Sequence, residues 1–320
     1  MEIAHRGRLG MLVVMATLCV AGCGRKDAPQ ITARDAAPPE QPQAAAPPAQ
    51  TSVLFRNVRV FNGIDPTLQA ATDVLVRGNR IASIGPSEVK AAAPGMTIID
   101  GGGRTLMPGL VDMHWHALAG PPTIALALSS DAGYLNLMAG AEASDTLQRG
   151  FTTVRDVGGA SFGLKRAIDE GWQAGPRIYP SGAIISVTGG HGDFRSPQDL
   201  PRALGRSESR PEVMGDTAIA DTPDEVRLRV REQLMRGASQ IKLTAGGGVS
   251  SPHSPLDVVT FTTDELRAAV QGANNWGTYV TAHAYTPAAI PNAVDAGVHC
   301  IAHGNLMDGA TEQLLPNKGV

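Results

Sequence analysis

Apolar and polar positions alternate in short runs between residues 53 and 100, after which a different rhythm takes over. The runs at 53–61, 73–77, 80–85 and 96–100 have the period of two expected of strands, with Gly, Asn and Pro between them. Arg77-Gly78-Asn79-Arg80 predicts a tight hairpin. So few short strands are marginal alone, so this module is expected to complete its sheet with residues from elsewhere. Beyond residue 106, apolar strand-like runs at 106–116, 152–157, 177–185, 240–245, 279–284 and 300–303 alternate with helical periodicity. The helical stretches are 134–149, 162–172, 223–235, 264–276 and 287–296. Thr222 with Glu225 and Thr262 with Glu265 predict reciprocal N-terminal caps, and Pro223 suits a first helical position.

Alternating strands and helices imply a parallel sheet. The predicted class is α/β, a (β/α)8 TIM barrel over residues 107–320 preceded by a small β module over 51–106. About six βα units are visible where a closed barrel needs eight, so the barrel is expected to be incomplete. The polar, Gly- and Arg-rich stretch 191–221 is long for a compact domain and reads as a lid.

Composition narrows the class further. The chain has 320 residues, 42% hydrophobic and 18% charged, with 37 glycines, which suits a loop-rich α/β enzyme. A net charge of −3 without a basic cluster gives no sign of a nucleic-acid partner. Of three cysteines only Cys300 falls in the folded part, so no disulfide framework is expected.

Residues 1–23 read as a secretion signal, with His5, Arg6 and Arg8 ahead of a short apolar core. That core is shorter than the ~20 apolar residues that span a bilayer. Val20-Ala21-Gly22-Cys23 resembles a bacterial lipobox. The resemblance implies cleavage before Cys23 and a lipid anchor on its sulfur. With Gly24 next, it also implies an envelope location at the outer membrane, facing the periplasm. Residues 24–50, almost entirely Ala, Pro and Gln with a few charges, are expected to form an extended tether.

Candidate chemistry gathers at the ends of predicted strands. His114 and His116 close an apolar run; on a strand their spacing puts both rings on one face, about 7 Å apart. On a helix they would splay by roughly 200°. Lys242, between Ile241 and Leu243, would be costly to bury charged. Either it snorkels to solvent or a carboxylate, or CO₂ converts it to an anionic carbamate that can bridge two metals. His283 and His303 each end a strand, as core residue or as ligand.

Pro-Gly-Leu-Val-Asp-Met-His-Trp-His, Thr-Thr-Val-Arg-Asp, Thr-Gly-Gly-His-Gly, Ile-Lys-Leu, Ala-His-Ala-Tyr and Ala-His-Gly follow one another in order. Together they resemble the amidohydrolase superfamily, in its metal-dependent dipeptidase and imidazolonepropionase-like branch, over residues 53–320. The resemblance implies two divalent ions, Zn²⁺ by the imidazole chemistry. His114 and His116 would hold the first, His283 and His303 the second, and Lys242, N6-carboxylated by CO₂, would bridge them. It implies hydrolysis of amide C–N bonds in dipeptides or N-acyl amino acids by a bridging hydroxide. His191 would contact the substrate carbonyl or carboxylate, and Tyr285 the substrate carboxylate. The small β module would be the N-terminal part of a β-sandwich.

The family's catalytic aspartate at the end of strand eight has no counterpart, and Asp308 follows strand six too closely to serve. No catalytic residue is therefore assigned, and the chain alone is expected to be inactive or poorly folded. A mononuclear deaminase or cyclic-imide hydrolase is the alternative. Against it stand Lys242 and the lack of a Glu soon after His283. A non-catalytic envelope binding protein is a third reading. Arg155 is a weaker candidate for structure or carboxylate binding; His253 and His299 read as structural, and Asp112 as a packing group or a support for the ligands. Homo-oligomerisation is left open.

Overall fold

The computed structural model describes residues 51–86 and 94–320. Cys23, the signal at 1–23 and the tether at 24–50 lie outside the described residues.

Five strands make the small module: β1 (Ser52–Val60), β2 (Gln69–Arg77), β3 (Arg80–Gly85), β4 (Met96–Asp100) and β5 (Thr105–Leu106). Their order is β3-β2-β1-β4, with β5 also on β1. The hairpin read from the sequence is present, Arg77 opposite Arg80 with Gly78 at φ 58°. Its apolar face is Val58, Val60 and Val74, with Phe55, Val76 and Leu106 packed against them. Asn57 stands at φ 51° where the β1–β2 register slips between Phe55 and Val58. Asparagine enters this left-handed region more readily than most residues, which suits a bulge.

The strand expected from residue 106 is in fact two. Leu106 stays with β5, and β6 (Leu110–Trp115) opens the barrel. Between them Pro108 has no amide hydrogen for a ladder. Gly109 passes so close to Thr152 that a Cβ would stand 2.0 Å from its Oγ1, which lets the chain cross between sheets. After α1 (Ile124–Ser129) and α2 (Ala132–Gln148), β7 (Phe151–Asp156) pairs parallel with β6. Helix α3 (Phe162–Asp169) follows, and the single strand expected at 177–185 is again divided. β8 (Arg177–Pro180) pairs with β7, whereas β9 (Ile184–Ser186) pairs with later strands. Gly182, at φ 74°, makes the break; a Cβ there would lie 2.4 Å from Gln233 Oε1.

The stretch read as a lid is not an open loop. It holds a 3-10 turn (Arg202–Leu204), α4 (Arg210–Met214) and a buried strand, β10 (Thr217–Ile219), paired parallel with β9. Arg229, whose side chain is 7% exposed, ties it down through Glu208 Oε1 at 2.9 Å and Glu212 Oε1 at 3.0 Å. Glu212 and Arg229 thus form a buried ion pair with Glu208 at its exposed edge, where a polarity profile reads solvated loop.

Three more strands complete the second sheet: β11 (Ile241–Thr244), β12 (Val280–Ala284) and β13 (Cys300–His303). The sheets run β6-β7-β8 and β10-β9-β11-β12-β13, all their ladders parallel, as in part of a (β/α)8 barrel. Helices α5 (Pro223–Met235), α6 (Thr263–Asn274), α7 (Ala289–Asp295) and α8 (Gly309–Lys318) alternate with these strands. Val226, Val230, Leu266 and Ala269 of α5 and α6 join Ile241, Leu243 and Val280 in the main core. Each fully buried Val, Leu or Ile there contributes about 1.5–3 kcal/mol relative to exposure.

The predicted caps divide. At α6 Thr262 and Glu265 cap each other's backbone reciprocally. At α5 Thr222 accepts from Glu225 N, but the Glu225 carboxylate reaches one residue further back and accepts from Asp221 N at 2.9 Å.

Candidate metal centre

Parallel strands bring their C-terminal ends to one rim, and there the predicted residues meet. His114, His116, His191, Lys242, His283, Tyr285 and His303 line one cavity of about 170 Å³. Ring centroids are 5.2 Å apart for His114–His116, 4.5 Å for His114–His303 and 4.5 Å for His283–His303. Tyr285 stacks on His303 at 4.9 Å. A larger groove beside α5 and α6, about 660 Å³ and lined in part by Arg227, Asp264 and Arg267, holds none of these rings.

Each ring has a local reason for its position. His114, half-buried, lies one residue before the end of β6, where its backbone N–H donates to Asp112 Oδ1 at 2.9 Å. Asp112 thus does support a ligand candidate, through the backbone. Gly158 leaves space for His116: a Cβ at that position would sit 3.2 Å from the ring and 2.6 Å from Ile184. His283 is 3% exposed and donates Nε2–H to the Gly247 carbonyl at 2.8 Å; a carbonyl only accepts, so its Nδ1 is left with the lone pair. His303 carries φ 79°, a conformation costly for a residue with a Cβ and recurrent at functional sites.

The electrostatics favour neutral rings. Burial, then the nearby Lys242 charge, brings His114 down to about 3 and His116 to about 4. His191 falls to about 4 for the same reasons. His283 and His303 are also lowered, burial again leading. Lys242 is 2% exposed, and burial followed by Arg155 lowers its amine to about 7. No hydrogen bond or ion pair to that amine occurs among the described residues.

The donor chemistry fits a divalent cation. The rings are neutral, and Nδ1 of His116 is buried with no hydrogen-bond partner. The N–H of His283 is tied to a carbonyl, the arrangement that orients a ligating imidazole. As the rings stand, no three His, Cys, Asp or Glu side chains among the described residues form a group that could hold a metal. The rings pack on one another instead.

Other predicted residues lie elsewhere. Arg155 is not at the mouth: its Nε donates to Met113 O at 2.8 Å and its guanidinium meets Tyr279 and Cys300. It lines a separate cavity of about 440 Å³ with Val111, Met113 and Gln240, in keeping with a structural role. His253 is exposed in the loop after β11. Asp308 caps α8, accepting from Thr311 N at 2.8 Å.

Asp156 and Ser251 escaped the sequence reading. Asp156, fully buried at the end of β7, is pushed up to about 7 by that burial, against hydrogen bonds that lower it. One of its oxygens accepts from Gly158 N at 3.2 Å, and the other has no partner. Its place in Thr-Thr-Val-Arg-Asp, ending a strand, was the available signal. Ser251 follows the glycine run after Lys242 and reaches His191 Nδ1 at 2.9 Å. No local pattern marks that contact.

Residues 105–318 match the amidohydrolase family. Ochratoxinase from Aspergillus niger is 34% identical over 223 residues, covering 67% of this chain and 46% of that protein. A crystallised prolidase complexed with N-methylphosphonate-L-proline is similar with a TM-score of 0.77 at 37% identity, over 84% of this chain and 65% of that one. A Xaa-Pro dipeptidase with methionine bound in its active site gives 0.71 at 30% identity, over 84% and 66%. The chain spans about half the length of the curated relatives it matches.

Proposed function

The chain belongs to the amidohydrolase family, and on that premise we propose that it hydrolyses amide bonds of dipeptides or N-acyl amino acids. Members of this family typically use divalent metals. Here His114, His116, His283 and His303 would hold two such ions, Zn²⁺ by the imidazole chemistry, with Lys242 carboxylated by CO₂ between them. Bound ions of this kind bring a water's pKa toward neutrality and polarise a carbonyl. The observation that carries the reading is the meeting of four neutral imidazoles and one buried, unpaired amine at a single cavity.

The remaining groups have roles that need no ion. Burial leaves a large share of the Lys242 amine uncharged near neutrality, the form that adds to CO₂. Gly247 fixes the tautomer of His283 through its carbonyl. Tyr285 keeps its ring against His283 and His303, where its hydroxyl would meet the carboxylate of a dipeptide. The prolidase and Xaa-Pro dipeptidase likenesses support a dipeptide substrate, and with the ochratoxinase likeness they support hydrolysis of an amide bond.

Metal analysis of the full-length gene product, with a panel of dipeptides and N-acyl amino acids, tests the proposal. About two ions per chain and release of a free amino acid are expected. One ion per chain with ammonia release would favour a deaminase instead, and an inert protein that binds these compounds would point to a binding role. A lipid anchor at Cys23 and an envelope location belong to the same proposal. Cys23→Ser should move the protein from the membrane fraction to the soluble one.

A further inference from the structure

We propose that Ser251 is a positioning residue that holds His191 as its Nε2–H tautomer, so that this ring presents a donor to the cavity. The Ser251 Oγ stands 2.8 Å from Gly192 N and 2.9 Å from His191 Nδ1. A serine hydroxyl has one hydrogen and two lone pairs. The Gly192 N–H can only donate, so it takes a lone pair. The hydroxyl hydrogen then has one acceptor within reach among the described residues, His191 Nδ1. An imidazole that accepts at Nδ1 carries its hydrogen on Nε2, and that nitrogen makes no hydrogen bond to any described residue.

The rest of the ring's surroundings leave it little freedom. Ser186 Oγ donates to the His191 carbonyl at 2.7 Å and receives a hydrogen bond from Thr244 at 2.9 Å, which pins the backbone to the ends of β9 and β11. Gly248 lies against the ring so closely that a Cβ would come within 2.2 Å of Nδ1. The His283 ring packs on it at 4.2 Å. With Nδ1 bound to a hydroxyl and Nε2 protonated, His191 has no free lone pair for a cation. It stands among the histidines as a hydrogen-bond donor, suited to the oxygen of a polarised carbonyl and to the negative charge that grows there during attack. That use rests on the proposed amide hydrolysis; the tautomer does not.

The test separates the two. Full-length protein labelled with [15N]histidine, free of metal and substrate, is examined by long-range proton–nitrogen correlation, with His191→Gln identifying the resonance. A pyridine-type Nδ1 and a pyrrole-type Nε2 are expected, becoming a tautomer mixture in Ser251→Ala and returning in Ser251→Thr, which keeps the hydroxyl. A pyrrole-type Nδ1 in the unaltered protein would overturn the proposal, and so would a Ser251→Ala spectrum with the tautomer unchanged. The first of these needs no variant to fold. On an amide substrate, Ser251→Ala should lower kcat about tenfold with KM within about twofold, and Ser251→Thr should recover most of it. An unchanged kcat beside an altered tautomer would overturn the role in turnover. Absence of any hydrolysis by the unaltered protein would instead count against the proposed function and leave the tautomer standing.

Discussion

Replacing Lys242 by methionine is expected to make the metal-free protein more stable, and the gain measures what this residue costs the fold. The side chain is 2% exposed inside the barrel, and its ammonium has no partner among the described residues. Its amine titrates at about 7 in the folded protein against 10.5 ordinarily. At ~1.4 kcal/mol per tenfold change, that drop corresponds to a penalty of about 5 kcal/mol. Local relaxation and water entry take back part of it, which leaves on the order of 2–4 kcal/mol. Methionine is similar in length, apolar and adaptable in a core, so it removes the penalty without opening a large cavity. Below about pH 7 both folded and unfolded chains hold the lysine proton, so the whole penalty is present. Between 7 and 10.5 the unfolded chain binds more protons than the folded one, so the unaltered protein gains stability as pH rises. The advantage of Lys242→Met should therefore be largest near pH 6 and fade toward pH 10. Urea unfolding of both proteins at pH 6, 8 and 10, in CO₂-free buffer, reads this difference. A variant less stable at pH 6, or a difference independent of pH, would refute the reasoning and return Lys242 to a structural role.

Other outcomes follow from the same surroundings. His114 and His116 titrate at about 3 and about 4 rather than 6.5, so the unfolded chain binds more protons in that interval. Melting temperatures of the metal-free protein should accordingly fall as pH drops from 6.5 toward 4; a flat profile would mean the rings are not buried neutral. Arg229→Met strands Glu212, whose side chain is only 3% exposed, and should cost about 3–5 kcal/mol in urea unfolding. Adding Glu212→Gln should recover more than half of that loss, and no recovery would show that the pair is not the source. Gly158→Val forces a side chain against Ile184 and the His116 ring; metal retention after dialysis should weaken about tenfold or more while the helix content stays unchanged.

Much of this protein is written in residue order alone. The period of two in the small module, the alternation of strands and helices after residue 106, and the capping pair Thr262–Glu265 are local patterns, and the folded chain shows them where they were read. The cavity-lining histidines were legible because a parallel sheet sends every strand end to one rim, so sequence spacing translates into position. Ser251 and the Arg229 network were not legible. Their partners are distant in the chain: Ser251 meets His191, sixty positions away, and Arg229 meets Glu208, twenty-one away. The breaks at Gly109 and Gly182 belong to the same class, since each is required by a side chain from another element pressing on the backbone. Local periodicity is set by which face of an element must leave water. Register, caps that reach past their motif, and the tautomer of a ring are set by which groups find each other once the faces have closed.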